Sequence, residues 1–237
     1  MNIAQADRNK ESFISSFPEI RPEIAEYVID EIIPRYAAFD PAHREDHAWD
    51  VIENSMNLYR RAPEEVRGVL DPEIIFVAAA CHDLGRINGK KNHHTDSGKM
   101  IRADSTLRRW FSPEQIEAVA QAAEDHRASL DYEPRSMYGK MVAEADRLID
   151  SGTIIRRTLQ YGMSRYPELS PQEQIDRALE HLYDKYGPGG YLKLWIPWSD
   201  NASRLECLRM LLDDRAAARK EVERLYHETA GGPAAGI

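Results

Sequence analysis

The sequence predicts an all-α fold of about ten helices, and three observations carry that reading. Apolar residues recur at spacings of three and four along most of the chain. No run alternates apolar and polar residues in the manner of a half-buried strand. Prolines and glycines fall between the periodic segments, at Pro34, Pro41, Pro63, Pro72, Pro134, Pro167, Pro171 and in the GPGG of 187–190.

Taken in order, the first clear amphipathic helix opens with His43 and His47. Its apolar face is Ala48, Val51, Ile52, Met56 and Tyr59, and His47, four residues before Val51, points the same way. The next helix holds eight consecutive apolar residues, 74–81, and closes in His82, Asp83, Leu84 and Gly85. Ile116, Val119, Ala120 and Ala123 form a face behind SPEQ at 112–115, where Ser112 can cap and Pro113 suits the first turn. Met141, Val142, Ala145, Leu148 and Ile149 make a further stripe, with Asp146 lying on it. A last long helix is expected over 199–226. Nothing resembles a repeat or a dividing linker, so the expectation is one domain over 1–228, with its core at about 43–165 and a flexible tail at 229–237.

Composition narrows the function classes. A chain of 237 residues with 42% hydrophobic and 30% charged side chains is an ordinary globular protein with enough length for a real core. The longest apolar run is too short to span a bilayer, and the N-terminal MNIAQADRNKESF lacks a signal-peptide core, so a cytoplasmic protein is expected. Cys81 and Cys207 are far apart, which argues against both a disulfide framework and a thiolate zinc site. A net charge of −9 disfavours general nucleic-acid binding while leaving room for a small phosphorylated ligand held by local cations.

The chemistry concentrates where charge meets apolar surface. An imidazole and a carboxylate at the end of a fully apolar helix are costly unless paired or bound to a metal, and Asp146 on a buried stripe poses the same problem. His47, His82, Asp83 and Asp146 together form a plausible shell for Mn, Fe, Co, Ni or Mg. The mix of nitrogen and oxygen without sulfur disfavours structural zinc.

These four residues, in this order on a helical chain, resemble the H…HD…D signature of the HD superfamily of metal-dependent phosphohydrolases. HAWDV at 47–51 is similar to that family's first-ligand helix and AAACHDLGR at 78–86 to its second. VAEADRLIDSG at 142–152 resembles the last-ligand helix of a bacterial branch that often reads DADRLD followed by glycine, a branch that includes nucleotide pyrophosphohydrolases. The resemblance runs from about residue 43 onward. It implies an HD-type helical bundle, one or two divalent metal ions, and hydrolysis of a phosphate ester or anhydride, with a nucleotide as the favoured substrate. Some members carry a Glu shortly after HD as acid or base; HDLGRINGKKNHH has none. The resemblance implies that His94 and His126 hold a second metal or contact the phosphate and shuttle protons, with metal-bound water the other proton carrier, and Arg86 stands where relatives often carry a basic residue. Spacing leaves open which of His93 and His94 faces inward, and the reading favours His94. Lys90, Lys91 and Arg127 are expected to bind substrate, and Arg156 and Arg157 are further candidate cations. Two rivals share the fold: a di-iron oxygenase, and a binding module that has lost the reaction.

Overall fold

Helices follow the apolar periodicity, and no strand occurs among the described residues of the computed structural model, 10–40, 43–147 and 149–231. The fold is all-α, as predicted. No described helix is long and apolar enough to cross a membrane. The chain divides into two compact units, Met1–Asp146 and Arg147–Ile237.

The first unit begins with two short helices, α1 (Lys10–Ser15) and α2 (Pro22–Tyr27). The chain then widens into a π turn (Val28–Ile32) and tightens into a 3₁₀ helix (Ile33–Ala38). Pro34 has no N–H to give, so a regular α ladder cannot run through this stretch. Six helices follow: α3 (Glu45–Arg61), α4 (Glu64–Arg67), α5 (Pro72–Cys81), α6 (His93–Ala103), α7 (Pro113–Glu124) and α8 (Met137–Ala145), with a 3₁₀ turn (Leu84–Asn88) after α5. His43, expected inside the first amphipathic helix, lies ahead of α3, its Nδ1 donating to Asp40 at 2.8 Å.

The apolar run of 74–81 becomes the centre of this unit. Asp71 caps α5 by accepting the Glu73 N–H, and Pro72 occupies the first turn. Ile75, Phe76, Val77 and the three alanines after them are fully buried, with α3, α7 and α8 packed around them. Burial of a large apolar side chain here contributes about 1.5–3 kcal/mol. Phe13, Phe17, Trp49 and Phe76 meet edge to face and tie α1 onto α3 and α5. Ser112 and Gln115 form the full capping box of α7.

The second unit consists of α9 (Ser151–Arg165), α10 (Pro171–Tyr186), α11 (Asn201–Asp213) and α12 (Arg215–Gly231). Its core includes Ile155, Leu159, Leu182, Leu208, Val222 and Leu225. The single long helix expected over 199–226 is in fact two. Asp214 leaves the helical region, and its Oδ1 accepts from the N–H groups of Ala216 and Ala217, starting a new helix. Helix α12 continues through Gly231; of the tail expected over 229–237, residues 232–237 lie outside the described residues, as do 1–9 of the N-terminal stretch.

Candidate metal centre

Six polar residues of the first unit converge from the ends of five helices. His47 is in the first turn of α3, His82 and Asp83 follow the end of α5, and His93 opens α6. His126 stands just past α7, and Asp146 caps the end of α8. Three of these ends are helix C-termini, whose partial negative charge favours a cation.

The residues form two groups that share Asp83: His47, His82 and Asp83 in one, and Asp83, His93 and His126 in the other. In the first, His47 Nε2 lies 3.2 Å from His82 Nε2 and 3.2 Å from Asp146 Oδ1, so Asp146 joins this group. Asp83 Oδ2 is 3.9 Å from His47 Nε2 and 3.7 Å from His82 Nε2. In the second, the His93 and His126 Nε2 atoms are 3.1 Å apart, and Asp83 Oδ1 is 3.3 Å from one and 3.4 Å from the other. Each carboxylate oxygen of Asp83 thus serves one group.

Backbone carbonyls set the tautomers. Nδ1–H of His82 donates to Ala79 O, that of His93 to Lys90 O, and that of His126 to Ala123 O, each three residues back. A carbonyl can only accept, so the lone pair in each neutral ring is on Nε2, toward the cluster. Such bonds to the far ring nitrogen are how proteins orient imidazoles that bind metal. With its rings neutral, the second group sets three acceptors face to face, and Asp83 Oδ1 has no hydrogen-bond partner of good geometry. A proton on His126 or a cation resolves this arrangement. Bonds of about 2.1 Å put neighbouring donors about 3.0–3.4 Å apart, the spacing of the second group. The first group is looser.

The electrostatics of His82 and His93 agree. Burial pushes the His82 and His93 imidazoles down to about 4, so both are neutral and ready to coordinate. For His126, burial acts downward but is outweighed by contact with Asp83, and the imidazole is held above its ordinary value. Burial likewise opposes the charge on both carboxylates without prevailing. His82 and His126 beside Asp83, and His47 beside Asp146, hold them well below the usual range.

Of the other sequence candidates, Arg86 touches the cluster directly. Arg86 Nε donates to Asp83 Oδ2 at 2.5 Å, so the guanidinium sits on the shared carboxylate. Lys90 and Lys91 lie on the exposed loop before α6. Arg127 is half-buried, and its Nη1 donates to Lys91 O at 2.6 Å. Arg156 and Arg157 are exposed on α9 in the other unit.

The sequence reading favours His94, whereas it is His93 whose Nε2 enters the cluster. His94 is buried next to it, ring centroids 5.6 Å apart, with Nδ1 lacking a hydrogen-bond partner. Burial lowers its pKa, and His126 and Arg127 lower it further. In the sequence His93 stands in i, i+4 register with Ser97 and His94 with Gly98, both buried, so helical spacing does not separate the two histidines.

Residues 44–149 match the family model described as HD domain. The match contains all six clustered residues. The chain therefore carries an HD domain, the helical domain of a superfamily of metal-dependent phosphohydrolases. No curated protein and no solved structure matches the chain.

Proposed function

We propose that the chain is a metal-dependent phosphohydrolase with two divalent ions, one held by His47, His82, Asp83 and Asp146, the other by Asp83, His93 and His126. Mn, Fe, Co, Ni and Mg are the candidate cations, and the substrate is a phosphate ester or anhydride of a nucleotide or another small phosphorylated metabolite. The observation that carries this reading is the set of three mutually facing acceptors, Asp83 Oδ1, His93 Nε2 and His126 Nε2.

Divalent ions bound there supply Lewis acidity, acidifying water near neutral pH and offsetting negative charge on a phosphoryl oxygen. The chain's part is to place and orient. Asp83 presents one oxygen to each group, while the carbonyls of Ala79, Lys90 and Ala123 hold three imidazoles in the coordinating tautomer. Arg86 clamps Asp83 through Nε, and its remaining donors are assigned to a phosphoryl oxygen, for which a planar guanidinium is suited. Lys90, Lys91 and Arg127 supply local positive charge to an anionic substrate in a chain whose net charge is −9. His94 is assigned to phosphate contact or proton transfer beside the ions.

Metal content, measured together with phosphate release from a nucleotide panel with and without Mn, tests this. Bound metal and release, both lost in Asp83→Ala, are expected. Stoichiometric metal surviving in Asp83→Ala would refute the ligand set. Four imidazoles around a shared carboxylate also suit two irons, so bound iron with oxygen uptake and no phosphate release would favour the oxygenase.

A further inference from the structure

The 3₁₀ helix of 33–38 lies ahead of the span that matches the HD-domain family, yet it sends one side chain to the metal centre's backbone. Tyr36 is fully buried. Its hydroxyl donates to Ala80 O at 2.8 Å and accepts the Asp83 N–H at 3.3 Å. The ring stands 6.3 Å from the His82 ring and 5.2 Å from Phe39. One hydroxyl thus bonds the residues on both sides of the Cys81–His82 segment, where α5 ends and its two candidate ligands begin.

We propose that Tyr36 is a positioning residue of the metal centre, fixing the exit of α5 so that His82 Nε2 and Asp83 meet the same ion. The last carbonyls of a helix lack partners from its own ladder. At this end two side chains take them: His82 Nδ1–H bonds Ala79 O and the Tyr36 hydroxyl bonds Ala80 O. The same hydroxyl satisfies the N–H of Asp83, a residue only 1% exposed. Without it that N–H is a buried donor with no partner, and the backbone must turn to find one. Turning it swings the Asp83 carboxylate, which serves both groups. Burial also raises the phenol's pKa well above its ordinary value, so the group stays a neutral donor.

This inference rests on the metal-binding reading above, and Tyr36→Phe separates the two. The variant keeps the ring and removes only the hydroxyl. Mn(II) affinity and the Mn(II) paramagnetic resonance spectrum are read for the parent, for Tyr36→Phe and for Phe39→Leu, each beside its melting temperature. Phe39→Leu disturbs the same aromatic contact without touching the hydroxyl. The expected result is a roughly 10–100-fold loss of Mn(II) affinity with an altered spectrum in Tyr36→Phe, the range for removing a hydrogen-bond partner that orients a metal ligand. Phe39→Leu should bind as the parent does, even where its melting temperature falls as far. Parent-like affinity and spectrum in Tyr36→Phe would overturn the inference and leave the metal site standing, and equal loss in both variants would reduce Tyr36 to general packing. A parent that takes up no divalent ion would sink the metal reading and this inference with it.

Discussion

His93 and His94 are adjacent, alike in chemistry and both buried, yet their geometry assigns them different work. His93 Nε2 faces His126 and Asp83, whereas His94 Nδ1 faces no partner. His93→Ala is accordingly expected to lower metal stoichiometry from two ions to one, because the first group loses no donor. His94→Ala should keep both ions and change only turnover. Elemental analysis of the two variants decides the matter, and two ions retained in His93→Ala would contradict the second group. The same pair shows where the sequence could be read and where it could not. His47, His82, Asp83 and Asp146 were legible because each stands against apolar neighbours at helical spacing, where an unpaired polar group is hard to account for. His93 and His94 share one buried stripe with Ser97, Gly98 and Ile101, so periodicity admits both. The choice comes from the Lys90 carbonyl, which orients His93 and leaves no trace in the residue types. Tyr36 was silent for a similar reason: a tyrosine among Pro34, Ala37 and Phe39 reads as core.

The elements that hold the second group depend on a close approach between the turn after α5 and the start of α6. Ser97 joins them by accepting the Gly85 N–H and donating to His93 O, both at 2.9 Å. Gly85 is required by space, since a Cβ there would stand 2.1 Å from His93 O and 2.5 Å from Ser97 N. Those are backbone atoms, so Gly85→Ala must push α6 away from the turn and carry His93 with it. Overpacking of this kind typically costs about 1–3 kcal/mol. Urea denaturation of the metal-free variant should show that loss, with metal analysis showing one ion at most; parent-like values for both would mean that α6 does not place His93. Ser97→Ala should cost about 1–3 kcal/mol by leaving the buried Gly85 N–H unsatisfied. The glycine itself was legible in HDLGR as a helix stop, but its contact with α6 was not, because it joins segments separated by a loop. The break at Asp214 was missed in the opposite way. LLDDRAAARK keeps good helix formers on both sides, and what ends α11 is Asp214 capping its own successor.

For the whole molecule, the buried imidazoles couple stability to pH. Free histidine titrates near 6.5. His82 and His93 are depressed to about 4 by burial, and His43 and His94 are shifted in the same direction. Between pH 6.5 and 4 the unfolded chain therefore binds more protons than the native one, so stability rises with pH across this window and falls on acidification. His126 is raised, and its contribution is complete below 6.5 and lost only as pH climbs through its native value. It stays constant in the acidic window and cannot cancel the others. The lowered carboxylates of Asp83 and Asp146 lose their contribution only below the ordinary aspartate range. The metal-free protein should therefore melt at steadily lower temperature from pH 6.5 to 4, and a flat melting temperature there would refute the buried neutral state of His82 and His93. Metal adds a second slope. An ion in the second group must displace the proton that His126 holds, so affinity should rise as pH climbs through that native value, with protons released on binding. At about 100 times its dissociation constant, an ion that binds only the native state adds about 2.7 kcal/mol. The gap in melting temperature between loaded and metal-free protein should consequently widen from pH 6.5 upward. Calorimetric titration with Mn in buffers of different ionisation enthalpy counts the protons directly, and binding without proton release near pH 6.5 would show that the ion does not take the place of the His126 proton.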